Sequence, residues 1–436
     1  MNDQELDKQF LAFANELLGA AKTLAWKQHS APRFIESFMQ FQANGSILHG
    51  ARTVENYGLV VRLIRQEVCS KEPTQACIRA HVDAGLLKFP ADVPQDSSPA
   101  YAHCTAILAE PVIRAVEQAG RLDIELPILL GIYHRARDVW RGQNIETRVC
   151  VPLLNIEGDL DQAIVGEDLL LSKFLPDEKN DLFGRWLNQE FITASAIGRS
   201  TYKLSATIMT GQSEIPERIA AQAERIVTAI RLLRTGAVGA PVVFYDRRSC
   251  GLGLVPVILE TIGVRPYGLQ SKLTKGDVPQ IQGLFDKLRK INFPEGKSAL
   301  GAALRRFNLS YSRQSAEDKL IDLAIAWESS LLNDTEDELT YKLSVRGGAL
   351  LAPVREPSDT ASLLQSGYRM RSKIVHNGES ISDQSLLPKF EDVTREVLRS
   401  YVTSVAGGET LKSINESLER TILTALKRVT APANPN

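Results

Sequence analysis

The sequence predicts a multidomain α+β protein, in which a mainly helical N-terminal region and a mixed, β-rich domain precede a C-terminal all-α helical bundle. Helix-like spacing of apolar residues dominates residues 5–140, strand-like alternation begins near residue 145, and helical spacing returns after about residue 280. A chain of 436 residues also exceeds the usual size of one hydrophobic core. We therefore predict domains at 1–144, 145–275 and 281–430.

The overall composition is that of a soluble globular protein, with 44% hydrophobic residues, 24% charged residues and a formal net charge of -1. This balance argues against indiscriminate binding of polyanions, so any nucleic-acid contact must be local. The N-terminus lacks the pattern of a signal peptide and no run of about 18 apolar residues occurs, so we expect a cytoplasmic protein without a membrane partner. The five cysteines are scattered, which favours reduced thiols over a zinc site or a disulfide framework.

The N-terminal region is predicted to consist mostly of helices, interrupted near Ala31-Pro32, near Asn44-Gly45 and between Asp92 and Pro99. No residue pattern there indicates catalytic chemistry. His134 lies among basic residues, but an ordinary surface turn of a helix explains it better than a binding site does. The remaining histidines of this region are isolated from one another: His29, His49, His81 and His103.

The middle region shows the residue pattern of strands. Segments rich in branched apolar residues, or strictly alternating, are predicted as strands at 147–154, 163–175, 202–208 and 241–245. A helix is predicted before the last of them, with Pro216 near its first turn and Gly236 after its last turn. From composition, this domain is expected to be a scaffold or a sensor surface.

Six amphipathic helices are predicted after residue 280, and a helical bundle is the natural way to bury their apolar faces. Their approximate ranges are 298–312, 315–332, 336–353, 358–377, 384–405 and 409–429. Charged residues interrupt three of the apolar stripes, at Glu328, Arg346 and Arg371. Because a lone buried charge is costly, Glu328 is expected to pair with Arg346, with Arg371 or with both. For Glu328 and Arg346 a structural ion pair, or snorkelling at the bundle edge, is the main alternative to a functional role.

The chain holds six histidines, and His376 is the only one after residue 134. Asn377-Gly378 is a strong helix-stop signal, so His376 is predicted in the last turn of its helix. There the helix dipole favours the imidazolium, while neighbouring cations oppose it, which suits proton transfer near neutral pH. Arg369 and Ser372 precede His376 by seven and four residues and should share its face. The alternative is a histidine that merely interacts with the dipole.

The segment from Arg371 to His376 matches the Arg-x(4–6)-His motif of HEPN domains, and the wider sequence resembles the Apea-like branch of that superfamily. The resemblance covers about residues 281–400. It includes Asp318–Asp322, Ala326-Trp327-Glu328, Glu338–Leu343 with Arg346, and Tyr368–Gly378. Residues 152–157, 166–171 and 226–236 are similar to the region that often precedes such domains. The chain departs from the pattern at Asn377, where a glycine often follows the histidine. Arg369 also satisfies the permitted spacing, so the principal arginine is Arg369 or Arg371.

The resemblance implies an Apea-like HEPN helical domain with the activity of a metal-independent endoribonuclease, a hydrolase that needs no cofactor. It implies RNA as the substrate and a homodimer, or a higher even-numbered homo-oligomer, in which the two motifs face each other across a cleft. The implied setting is antiviral defence against phage or a toxin system, which allows a phage-derived trigger or an antitoxin as a further partner. Some relatives bind RNA without cleaving it.

Cleavage by the ribose 2′-hydroxyl needs a base, an acid and cations that offset the charge of the phosphorane. One histidine cannot easily serve as both acid and base, whereas a two-fold interface doubles every group. We expect His376 to be the general acid/base and Arg371 to stabilise the transition state. Supporting roles are expected for Arg369, Ser372, Asn377, Glu328 and Arg346. The alternatives are a non-catalytic RNA-binding or protein-interaction module, and a sensor or scaffold whose first 275 residues gate the bundle.

Overall fold

The computed structural model describes residues 2–27, 33–41, 47–55, 57–88, 94, 97–142, 145–183, 198–210, 217–246, 257–261, 266–333, 335, 337–381 and 383–430. Within these ranges the chain forms 14 α-helices and ten β-strands, so the predicted mixed α+β class is confirmed. None of the described helices combines the length and the apolar character that crossing a bilayer requires.

Helices make up most of the N-terminal region, as predicted. They are α1 (Asp3–Lys27), α2 (Tyr57–Val68), α3 (Glu72–Asp83), α4 (Ser98–Ala119) and α5 (Leu126–Trp140). Their apolar faces form a core of their own, in which Phe10 and Tyr133 stack with ring centroids 3.8 Å apart. Local sequence sets the helix ends: Ser97 caps α4 by accepting a hydrogen bond from the amide of Ala100, and Gly120 ends that helix in the left-handed conformation.

The N-terminal region also contains an antiparallel hairpin of β1 (Arg33–Phe41) and β2 (Ile47–Glu55), which the sequence analysis missed. Phe34, Phe38 and Phe41 recur at offsets of zero, four and seven, which is the spacing of a helix. Cross-strand pairing over nine residues outweighs that local pattern, and the prediction was wrong here.

The strands of the middle region are β3 (Ile145–Leu153), β4 (Ile156–Gly158), β5 (Gln162–Val165), β6 (Leu169–Lys173), β7 (Tyr202–Thr210), β8 (Val242–Asp246), β9 (Val257–Thr261) and β10 (Ser271–Leu273), and its helices are α6 (Pro176–Phe183) and α7 (Glu217–Leu233). Six of these strands form an antiparallel sheet in the order β5-β6-β7-β3-β8-β9. The other two, β4 and β10, pair in parallel as a separate sheet. The stretch predicted as one strand at 163–175 is in fact a hairpin. Gly166 breaks it with a φ of 74°, a turn conformation that glycine adopts easily.

Seven helices follow: α8 (Val278–Lys290), α9 (Ala299–Ser310), α10 (Ala316–Leu331), α11 (Leu339–Leu351), α12 (Pro357–Asn377), α13 (Leu387–Ala406) and α14 (Leu411–Thr430). The last six correspond to the six predicted helices, whereas α8 was not predicted. Two close approaches fix α12 in its place. A Cβ on Gly347 would lie 2.1 Å from Leu364 Cδ1, and a Cβ on Gly367 would lie 2.9 Å from Trp327 Cη2.

One continuous hydrophobic core runs through the sheet and the C-terminal helices, from Val149 to Ile414. Buried polar contacts add to it. Arg395 on α13 donates from Nε to the carbonyl of Arg231 on α7 at 2.9 Å, and Arg231 donates from Nη1 to Asn308 Oδ1 at 3.0 Å. Burial lowers the pKa of Arg231 to about 10, which leaves it charged at neutral pH. The sheet and the C-terminal helices therefore share one hydrophobic core and are also linked by buried hydrogen bonds.

Candidate functional site

The site is built on the C-terminal half of α12, and that helix ends where the sequence predicts. Gly378 adopts a left-handed φ of 66°, and its amide donates to the carbonyl of Ile374 at 3.0 Å. His376 therefore lies in the last turn. Asn377 donates from Nδ2 to Glu379 Oε1 at 2.9 Å, which holds the residues just after the helix close to its end.

Arg371 lies at the boundary between the bundle and the surface, with 24% of its side chain exposed. Its Nη2 is 3.7 Å from Glu328 Oε1, and its Cζ is 6.0 Å from the centroid of the Tyr368 ring. Its Nε is buried and has no hydrogen-bond partner among the residues that the structure describes. A charge and an aromatic face thus hold this guanidinium, and at least one of its donors remains unused.

Glu328 on α10 is the carboxylate of this site, and its pairing with Arg371 confirms one of the expected partners. Tyr368, one turn before Arg371, completes a three-residue cluster. Burial raises the pKa of Tyr368 to about 12, and the nearby negative charge of Glu328 adds to that rise. The phenol is therefore protonated at neutral pH. No role was predicted for Tyr368, although its three-residue spacing from Arg371 places both on one face of the helix.

Arg346 belongs to a different part of the bundle. It is buried, donates from Nη1 to the carbonyl of Leu331 at 2.6 Å, and pairs through Nη2 with Glu419 Oε1 at 2.6 Å. It thus joins α11 both to the end of α10 and to α14. Glu419 was not foreseen as its partner. One sequence signal could have indicated this pair. Glu419 follows Asn415 by four residues, so both lie on one face of α14, and Asn415 is buried on the packed side of that helix.

The remaining predicted residues lie on the outer side of α12. Arg369 and His376 are exposed, and Ser372 is half-buried. At 3.6 residues per turn, Arg371 and His376 differ in direction by about 140° around the helix axis. One chain therefore presents the arginine and the imidazole at the same helix end, but on diverging faces.

The charge at this helix end is mainly positive. Arg369, Arg371 and Lys373 lie on the last two turns of α12 with the exposed His376, and the carboxylates that pair with this group of cations are Glu328 and Glu379. An arginine with a free donor can bind an oxyanion through directed hydrogen bonds. The exposed imidazole of His376 has two ring nitrogens that can take part in hydrogen bonds. The arrangement thus suits binding, and chemistry, at a phosphate.

Two cavities of about 830 Å³ lie away from this helix end. One is between the starts of α12 and α13, beside Arg355 and Lys389, and the other is on the sheet, beside Arg148 and Lys203. Among the described residues, no group of three or more His, Cys, Asp or Glu side chains is arranged to hold a metal ion. The four described cysteines are free thiols, and Cys250 lies outside the described residues.

Comparisons of the chain with models of protein families, with curated proteins and with solved structures found no match. The resemblance to the Apea-like HEPN domains therefore stays a prediction from the sequence motifs, as do the domain boundaries inferred with it.

Proposed function

We propose that the protein is a cytoplasmic, metal-independent endoribonuclease that cleaves RNA at the C-terminal end of α12. The observation that carries the proposal is the state of Arg371. It stands 3.7 Å from its carboxylate partner, it is partly exposed, and its buried Nε has no hydrogen-bond partner among the described residues. An arginine held purely for structure normally has its donors satisfied when they are buried. The unsatisfied donor and the partly exposed side chain of Arg371 therefore favour a role beyond structure, in which the exposed part of the guanidinium contacts a phosphate.

The divergence of Arg371 and His376 supports a homodimer as the active form. With these side chains about 140° apart on one helix, a single chain cannot easily surround a phosphodiester with both. A two-fold axis beside the end of α12 brings a second copy of each group to the same substrate. In that arrangement the arginine of one subunit and the imidazole of the other can approach one phosphate.

The expected chemistry needs one imidazole and one imidazolium. The neutral His376 takes the proton of the ribose 2′-hydroxyl, and the 2′-oxygen forms a bond to phosphorus. The protonated His376 of the partner subunit gives its proton to the 5′-oxygen as the bond between phosphorus and that oxygen breaks. Arg371 offsets the charge on the phosphorane. The products carry a 2′,3′-cyclic phosphate and a 5′-hydroxyl.

The test is cleavage of a single-stranded RNA of mixed sequence in excess EDTA, with wild type and His376→Ala compared. We expect wild type to yield cyclic-phosphate ends and His376→Ala to lose at least about a hundredfold in rate, as is typical of a lost acid or base. Equal rates for the two proteins would contradict the proposal, and so would loss of wild-type cleavage on addition of EDTA.

A non-catalytic RNA-binding or protein-interaction module is the second candidate, because the diverging faces of Arg371 and His376 also suit a helix end that only grips phosphate. For that function, His376→Ala keeps full RNA affinity and wild type leaves the RNA intact, whereas Arg371→Ala weakens binding. Wild type and His376→Ala can also be compared in cells to distinguish a nuclease from a non-catalytic module. A toxin or an antiphage nuclease loses its effect on growth or protection in the His376→Ala variant.

A further inference from the structure

Three arginines lie where α2 packs against α4 in the N-terminal region. Arg62 and Arg65 share one face of α2, and Arg114 lies one turn after Glu110 on α4. The exposed fraction of the arginine side chains runs from 20% for Arg114 to 34% for Arg62, whereas the side chain of Glu110 is only 4% exposed. A buried carboxylate thus lies beside guanidiniums that reach the surface.

Arg62 and Arg65 approach this carboxylate without a direct hydrogen bond. Arg62 Nη2 is 3.6 Å from Glu110 Oε2, and Arg65 Nη1 is 3.8 Å from Glu110 Oε1, both beyond hydrogen-bond range. Over the described ranges of the chain, Glu110 Oε2 and Arg114 Nε are buried and have no hydrogen-bond partner. The cluster therefore contains a buried acceptor and several donors that remain unused.

Glu117 is the second carboxylate of the cluster, one turn after Arg114. Its Oε2 accepts from Arg114 Nη1 at 2.9 Å, and its Oε1 is 3.6 Å from Arg62 Nη2. Three guanidiniums thus face two carboxylates, which leaves one positive charge in excess. The excess charge and the unused donors both favour an anion at this surface.

A purely structural ion pair explains the geometry poorly. A buried carboxylate stabilises a fold only when direct hydrogen bonds compensate for its loss of water. Asp277 and Asp322 are buried and satisfy that condition, since they accept from Arg234 at 2.6 Å and from Arg306 at 3.0 Å. For Glu110, burial raises the pKa in spite of three nearby arginines. Its charge gathers the guanidiniums but does not occupy their hydrogen bonds.

We propose that Arg62, Arg65 and Arg114 form a binding site for a phosphate group on the N-terminal helical region. A phosphate has several acceptor oxygens, and a planar guanidinium can donate two parallel hydrogen bonds to it. One arginine suffices for a carboxylate ligand, whereas three from two helices suit a phosphate. This site is independent of the function proposed for the end of α12. Inorganic phosphate and a nucleic-acid backbone both offer the required group, and the test distinguishes them.

The test is titration calorimetry of the full-length protein at constant ionic strength. The probes are inorganic phosphate and a short single-stranded DNA without terminal phosphates, which has no 2′-hydroxyl and cannot be cleaved by the proposed chemistry. We expect a saturable site for inorganic phosphate, with a Kd about tenfold higher in Arg62→Gln and in Arg65→Gln, because each variant loses charge-assisted hydrogen bonds. Arg121→Gln is the matched control, since Arg121 is 61% exposed just after α4, and its Kd should equal that of wild type.

Two comparisons identify the site and the source of the phosphate. Arg371→Ala should leave the Kd for inorganic phosphate unchanged, which separates this site from the end of α12 whether or not the protein cuts RNA. DNA binding that weakens in Arg62→Gln and Arg65→Gln would assign the site to a nucleic-acid backbone. DNA binding that is equal in these variants and in wild type, together with their loss of inorganic phosphate, would assign it to a small phosphate compound.

A measurement on wild type avoids any effect of the substitutions on folding. Phenylglyoxal modifies accessible arginines, and mass spectrometry locates the modified residues. Inorganic phosphate should slow the modification of Arg62 and Arg65 severalfold and leave that of Arg121 unchanged. Equal modification of Arg62 and Arg65 with and without phosphate would overturn the proposal, and so would an unchanged phosphate Kd in folded Arg62→Gln and Arg65→Gln.

Discussion

Arg371 Nη2 lies 3.7 Å from Glu328 Oε1, the distance of an ion pair without a direct hydrogen bond. Two residues earlier on the same helix, Arg369 is exposed and faces the side of His376. Both arginines satisfy the motif spacing, but within the part of the chain that the structure describes a carboxylate and an aromatic ring lie beside Arg371 and not beside Arg369. We therefore propose the principal role for Arg371 and a supporting contact for Arg369.

The first prediction concerns these two arginines. Arg371→Ala should lower the kcat for RNA cleavage by about a hundredfold or more, the usual effect of removing a donor that stabilises transition-state charge. Arg371→Lys should restore little of it, since an ammonium cannot make the planar two-bond contact of a guanidinium. Arg369→Ala should lower kcat/KM for RNA cleavage less than about tenfold, mainly by raising KM. A larger loss for Arg369→Ala than for Arg371→Ala would reverse the assignment.

The second prediction concerns the buried Arg346. Glu419→Gln removes a carboxylate that pairs with Arg346 at 2.6 Å and should lower the free energy of unfolding by about 2 kcal/mol, because the buried guanidinium loses a charged partner. Glu416→Gln, one turn earlier on α14 and exposed, is the control and should cost less than about 0.5 kcal/mol. Urea unfolding followed by circular dichroism measures both. Equal losses of unfolding free energy in the two variants would show that the pair of Arg346 and Glu419 stabilises the protein no more than an exposed carboxylate does.

The third prediction concerns a glycine at the closest helix contact. On Gly367 a Cβ would lie 2.9 Å from Trp327 Cη2 and 3.0 Å from Phe390 Cε1, two rings that have no room to withdraw in a packed core. Gly367→Ala should therefore destabilise the protein by about 2 kcal/mol. Gly283→Ala on α8 is the control. There a Cβ meets nothing within 4 Å, so helix propensity should make the change neutral or stabilising. A neutral Gly367→Ala would refute this description of the contact.

The fourth prediction concerns His81, in the N-terminal core. Its Nδ1 is 2.8 Å from the carbonyl of Cys77, which can only accept, so Nδ1 carries the proton and Nε2 accepts from the Tyr133 hydroxyl at 2.7 Å. Burial lowers the pKa of His81 to about 4, against about 6.5 in an unfolded chain. The neutral form is thus favoured by folding. Its contribution is complete above pH 6.5 and is lost as the pH falls from there toward 4.

Between pH 7 and pH 5 this linkage should cost wild type about 2 kcal/mol of unfolding free energy. His81→Gln removes the titrating imidazole. The change in unfolding free energy between pH 7 and pH 5 should therefore be smaller in this variant than in wild type by about 2 kcal/mol. Urea unfolding at the two pH values tests this, with the exposed His103→Gln as control. A pH dependence unchanged in His81→Gln would show that His81 is not the responsible group.

Much of the site could be predicted because its signals are local. Asn377-Gly378 predicted the end of α12, and gaps in the apolar stripes indicated that Glu328 would pair with Arg346, with Arg371 or with both, of which the structure shows the pair with Arg371. The rest depends on residues far apart in the chain. Arg346 and Glu419 are 73 positions apart, and His81 and Tyr133 are 52 apart, so no periodicity connects them. The shared core of sheet and helices likewise arises from tertiary packing, which no segment specifies alone.

The central claim is that His376 supplies proton transfer for RNA cleavage at the end of α12. The most direct measurement is the single-turnover rate of RNA cleavage in EDTA by wild type and His376→Ala, both purified from cells that tolerate expression, with product ends identified. We predict 2′,3′-cyclic phosphate ends from wild type and a rate at least about a hundredfold lower for His376→Ala. Cleavage by His376→Ala at the wild-type rate would contradict it.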